Sequence, residues 1–133
     1  MAEEKKERIL IVDDEEPIRV LLQECLDSQG YQTKKAANAD EALSALGADR
    51  FDLVLSDVRM PGMNGLELLE TISRKHGEVG VLMLTACEDV SMAVQAMKLG
   101  ALDYVLKPFR LEEIGPTSWH QNSLRRKRCA PRR

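Results

Sequence analysis

The sequence predicts an α/β fold, a doubly wound five-stranded parallel sheet of (βα)5 architecture. Three features of its 133 residues carry that expectation. Five short apolar runs recur along the chain, a single helical pattern separates each from the next, and four of the runs end in polar residues. Strands that are apolar throughout need cover on both faces, which right-handed helical crossovers between parallel strands provide.

The first run, Ile9-Leu-Ile-Val12, is rich in β-branched residues and ends at Asp13-Asp14. Pro17 suits a first helical position, and Ile18, Leu21, Leu22, Cys25 and Leu26 follow at helical spacing until Gly30 closes the helix. Residues 31–36 read as a polar strand at an edge of the sheet. Asn38 can cap a helix striped by Ala39, Ala42, Leu43 and Leu46. The third strand, Leu53-Val-Leu55, ends at Ser56-Asp57. A loop with Met60-Pro61-Gly62 turns the chain over the site, and Gly65 allows close approach at the start of a helix carrying Leu66, Leu69 and Ile72. Val81-Leu-Met-Leu84 is the fourth strand and ends at Thr85-Ala86. The fourth helix is expected to turn Val90, Ala93, Val94 and Met97 inward, with Gly100 after it. Residues 103–106 form the fifth strand, which ends at Lys107-Pro108, and Leu111-Glu-Glu-Ile114 begins a fifth helix. The length suits one domain, and no repeat or interdomain linker interrupts it.

Hydrophobic residues make up 44% of the chain and aromatics 4%, so aliphatic side chains and methionine must fill the interior. Met63, Met92 and Met97 read as packing residues. Cys25, Cys87 and Cys129 are odd in number and form no CxxC pair, which argues against a disulfide framework and makes Cys25 a core thiol. His76 and His120 are isolated and point to no metal site. No apolar run is long enough to span a bilayer and the start, MAEEKKE, is no secretory signal, so the cytoplasm is the expected address.

In a parallel sheet of this kind, residues just past the strand ends converge on one edge, where ligands bind. Here they are Asp13 and Asp14 after the first strand, Asp57 after the third, Thr85 after the fourth and Lys107 after the fifth. One acid alone would read as a helix cap or a surface charge. Five suitable groups at four strand ends make a specific constellation. Clustered carboxylates repel one another, and a hard divalent cation such as Mg²⁺ relieves the repulsion while keeping water and phosphate oxygens in its shell. One carboxylate can then act as nucleophile toward a phosphoryl group, with Lys107 neutralising charge and Thr85 donating a hydrogen bond.

The strings ILIVDDE, LVLSDVRMPGMNGLELL, VLMLTA and GALDYVLKPF resemble the receiver domain of two-component response regulators, a flavodoxin-like fold. The resemblance covers residues 8–114, leaving 1–7 as an extension and 115–133 as an atypical basic tail. It implies that Asp57 is the phosphoacceptor and that Asp14 and Asp57 bind Mg²⁺ directly, with Asp13 acting through water and the Arg59 backbone carbonyl adding a ligand. It further implies that Thr85, Ala86, Lys107 and Tyr104 bind the phosphoryl group and carry the switch, and that Pro108 follows a cis bond. The implied donor is a sensor histidine kinase. The surface altered by phosphorylation would be that of the fourth helix, fifth strand and fifth helix, read by an output domain or target protein.

Three alternatives compete. A haloacid-dehalogenase-like phosphatase also uses an Asp nucleophile and Mg²⁺, but it wants a DxD pair after one strand, and here Arg59 stands two residues after Asp57. A Rossmann nucleotide binder wants a glycine-rich turn where Asp13-Asp14-Glu15-Glu16 stands. A pseudo-receiver that works without phosphorylation loses acids or the lysine, all of which are kept here. The expectation is thus a regulatory phosphoacceptor rather than an enzyme acting on an external substrate.

The tail departs from the family pattern. Residues 1–114 hold all 22 acids and 13 Lys/Arg, whereas 115–133 hold six Lys/Arg and no acid. Gly115-Pro116 stops the fifth helix after one turn, and Trp119, Leu124 and Ala130 make no stripe. The cluster Leu124-Arg-Arg-Lys-Arg128 could attract nucleic-acid phosphates. The simpler reading is a shift of reading frame or an artificial sequence junction after Ile114, which would leave an apolar face open to homodimer formation.

Overall fold

The computed structural model describes residues 7–60, 62, 64–86 and 89–107. Five strands and four helices alternate: β1 (Arg8–Val12), α1 (Glu16–Ser28), β2 (Gln32–Ala36), α2 (Ala39–Ala48), β3 (Leu53–Asp57), α3 (Gly65–Lys75), β4 (Gly80–Ala86), α4 (Val90–Lys98) and β5 (Asp103–Lys107). All pairings are parallel, in the order β2-β1-β3-β4-β5. The expected α/β architecture is therefore present. The expected fifth helix, the Pro108 cis bond, Pro61, Met63, Cys87, Cys129, His120 and the basic tail lie outside the described residues.

The period of two along each strand divides the core into two layers. Leu10, Val12, Val54, Val81 and Met83 pack with Ala39, Ala42, Leu46, Leu68, Leu69, Ile72 and Ala96, so α2, α3 and α4 share one face. Ile9, Ile11, Leu53, Leu55, Leu82, Leu84 and Val105 face the other way, where α1 brings Leu22 and Leu26. Burying one such Leu is worth about 1.5–3 kcal/mol. β2 lies at the sheet edge and exposes Gln32, Lys34 and Lys35, as its polar sequence predicts.

Local chemistry sets the helix ends. Pro17 occupies the first turn of α1. Gly30 follows that helix with φ +98°, a left-handed value that a glycine adopts without strain. Asn38 Oδ1 accepts the Glu41 N–H at 2.9 Å and caps α2. At α3, Asn64 and Glu67 exchange reciprocal bonds of 3.0 and 3.1 Å in a capping box that the sequence reading did not single out. Cys25 is buried on α1 as expected; burial pushes its thiol pKa upward, and Gln29 Nε2 donates to Sγ at 3.3 Å.

Two helical stripes need correction. Ala93 is buried as expected, but Val94 and Met97, also expected inward, are 44% and 38% exposed, and Ala96 is buried in their place. The face of α4 turned to the sheet thus carries alanines rather than the larger residues. Leu21 of α1 is likewise 42% exposed, although its neighbours Leu22, Cys25 and Leu26 are buried.

Candidate metal centre at the carboxyl edge of the sheet

The strand order reverses direction between β1 and β3, since β1 connects outward to β2 and β3 returns to the other side of β1. The crevice at such a switch point opens at the carboxyl ends of the strands. Register fixes what lies there. Val12 pairs with Ser56, which sets Asp13 beside Asp57. Asp57 pairs with Leu84, one residue before Thr85, and Ala86 pairs with Lys107. Asp57 is itself the last residue of β3, so the strand runs two residues beyond its apolar run.

Backbone contacts hold the acids in place. Asp13 is fully buried, its N–H donates to Ala36 O at 3.2 Å, and its Oδ1 accepts the Glu15 N–H at 2.9 Å. Arg19, on α1, donates from Nη1 to the Asp13 carbonyl at 2.7 Å. Asp57 is 8% exposed, and its Oδ1 accepts the Arg59 N–H at 3.1 Å. Gly65 seats α3 against this strand end, its N–H donating to Val58 O at 2.8 Å. A Cβ there would collide with the Asp57 carbonyl and stand 2.8 Å from Val58 Cα, which accounts for the glycine.

Asp13, Asp14 and Asp57 each bring a carboxylate oxygen within 4.8 Å of the other two, with Asp14 exposed and the others buried. At an effective dielectric constant of about 20, two unit charges at that separation repel by roughly 3–4 kcal/mol. A divalent cation removes that cost, and an all-oxygen donor set with one side open to solvent suits Mg²⁺. The three residues fit such an ion.

The remaining predicted residues lie on β4 and β5. Thr85 is fully buried, and its hydroxyl donates toward α4, with the carbonyls of Ala86 and Asp89 at 3.2 and 3.3 Å. Tyr104 pairs with Met83 across β4 and β5 and packs half-buried against the layer under α2, α3 and α4. Lys107 is the last residue of β5.

One contact of a predicted residue escaped the sequence reading. The Arg59 guanidinium meets the Asp89 carboxylate through Nε at 3.2 Å and Nη2 at 2.5 Å, and Nη2 lies 3.8 Å from Met92 Sδ. Asp89 sits four residues after Thr85 just before a helix, where an aspartate reads as an ordinary cap.

The family model for the response regulator receiver domain matches residues 9–116. This chain belongs to the response regulator receiver family. The receiver domain is 43% identical over 108 residues to sporulation initiation phosphotransferase F of Bacillus subtilis, an alignment covering 81% of this chain and 87% of that protein. It is 41% identical over 105 residues to the DNA-binding transcriptional regulator NtrC of Salmonella typhimurium, covering 79% of this chain and only 22% of that protein. Among solved structures, the receiver domain of NtrX from Brucella abortus superposes with a TM-score of 0.80 at 34% identity, covering 88% of this chain and 98% of that one. The receiver thus spans nearly all of one relative and about a fifth of another. No helix among the described residues is long and apolar enough to cross a membrane.

Proposed function

We propose that this receiver works as a phosphorylation switch, taking a phosphoryl group onto Asp57 from the phosphohistidine of a sensor histidine kinase. The observation that supports this most directly is the convergence of Asp13, Asp14 and Asp57 within 4.8 Å at the ends of β1 and β3. Asp14, Asp57 and the Arg59 carbonyl would hold Mg²⁺ directly, and Asp13 would do so through water. The ion, when bound, supplies charge neutralisation for the carboxylate and the incoming phosphoryl oxygens.

The chain's own groups carry the rest. The Arg59 N–H fixes Asp57 Oδ1 and so orients the carboxylate for in-line attack. An Asp57 oxygen forms the new bond to phosphorus while the phosphorus–nitrogen bond of the donor breaks, and the leaving imidazole picks up a proton. Lys107 pairs with the transferred group, the Ala86 backbone N–H and the Thr85 hydroxyl donate to its oxygens, and Tyr104 follows the hydroxyl inward. The surface of α4, β5 and the fifth helix then changes for an output domain or target protein. NtrC, a longer relative, is a DNA-binding transcriptional regulator, and this receiver would reach nucleic acid through an output domain rather than by itself. The cytoplasm is the compartment that suits a kinase-fed phosphoacceptor.

The test is incubation with Mg²⁺ and a small acyl phosphate such as acetyl phosphate. One labile phosphoryl group per chain is the expected result. Repeated turnover of ordinary phosphate esters without a stoichiometric adduct would mean a phosphatase instead.

A further inference from the structure

We infer that Arg59 and Asp89 are positioning residues of the switch: their ion pair sets how readily the Thr85 hydroxyl turns from α4 toward a phosphoryl group on Asp57. The inference rests on the receiver chemistry proposed above. It comes from a comparison of the helix start at Asp89 with those at Asn38 and Asn64.

Asn38 and Asn64 have extended backbones and cap their helices through Oδ1. Asp89 is a residue type well suited to capping, yet its backbone is not extended (φ −107°, ψ 20°) and its side chain makes no capping bond to α4. Its carboxylate, 8% exposed, takes the forked guanidinium of Arg59 instead. A fork of two charge-assisted bonds fixes direction as well as distance.

That choice ties the two halves of the site together. The Arg59 N–H holds Asp57, the Arg59 guanidinium holds the Asp89 side chain, and the Asp89 carbonyl lies within reach of the Thr85 hydroxyl. A short hydrogen-bonded path therefore links acceptor and switch hydroxyl on the side of the site away from Asp13. While the pair is closed, the start of α4 keeps a carbonyl in front of Thr85. If it opens, the start of α4 is no longer tied to the β3–α3 loop, and its carbonyl can move away from Thr85. The pair acts as a brake on the phosphorylated conformation.

The Arg59 side chain is 68% exposed, so solvent screens the pair and the brake is moderate. We expect Asp89→Asn, which keeps a good helix cap, to tighten binding of beryllofluoride in saturating Mg²⁺ by about three- to tenfold. Arg59→Gln should do the same, and the double variant should gain no more than either single one. Affinity for Mg²⁺ alone should be unchanged by Asp89→Asn, and in a Thr85→Ala background Asp89→Asn should have no effect on beryllofluoride. Unchanged or weaker beryllofluoride binding in the single variants, additive gains in the double variant, or a gain that persists without the Thr85 hydroxyl would each overturn the brake. Failure of the unaltered protein to bind beryllofluoride at all would instead overturn the receiver chemistry on which the brake depends.

Discussion

Asp13, Asp14 and Asp57 are chemically alike and differ in how the fold holds them. Asp13 and Asp57 are buried with backbone N–H donors at 2.9 and 3.1 Å, whereas Asp14 projects to solvent. Asp14 is therefore the acid that can be neutralised with least structural cost. Asp14→Asn should weaken Mg²⁺ binding by about tenfold or more, since even groups that merely support metal ligands are typically worth that much. The same change removes a like charge and should raise the thermal midpoint in metal-free buffer. Calorimetry with and without Mg²⁺ checks both signs; equal affinity in the two proteins would remove Asp14 from the metal site. These acids were legible in the sequence because strand ends are easy to read and a carboxylate cluster is chemically unusual. Asp89 was not, because its partner Arg59 lies 30 residues away and the pairing depends on how the β3–α3 loop meets α4.

Among the elements, strand positions and helix order could be read directly, because the apolar runs are short, rich in β-branched residues and bounded by turn or polar residues. Helix faces were harder. In α4 the expected stripe combined Ala93 with Val94 and Met97, while the buried face pairs Ala93 with Ala96. Hydrophobicity ranks residues by size, but a helix lying close on a sheet needs small ones. The reading of Gly65 held for a geometric reason: α3 begins against the Asp57 carbonyl and Met83 Cε, with room for a hydrogen and not for a methyl group. Gly65→Ala should therefore destabilise despite the better helix propensity of alanine. A loss of about 1–3 kcal/mol is expected from overpacking against backbone atoms. That corresponds to a fall of order 1 M in the urea midpoint. An unchanged or higher midpoint would show that the strand end can yield to a side chain.

At the scale of the molecule, the sheet order β2-β1-β3-β4-β5 gathers residues that lie up to 94 positions apart, from Asp13 to Lys107, along one edge. Two packed layers support that edge, and the three carboxylates gathered there repel one another, a cost that a bound divalent cation would relieve. The central claim is that Asp57 alone accepts the phosphoryl group. Its most direct test compares the unaltered chain with Asp57→Asn after treatment with acetyl phosphate and Mg²⁺, using intact mass and peptide mapping. Circular dichroism serves to show that both proteins are folded. The account predicts one phosphoryl group on Asp57 in the first and none in the second, with little change in fold because the side chain sits at a strand end. Full labelling of the folded Asn variant at another residue would contradict it.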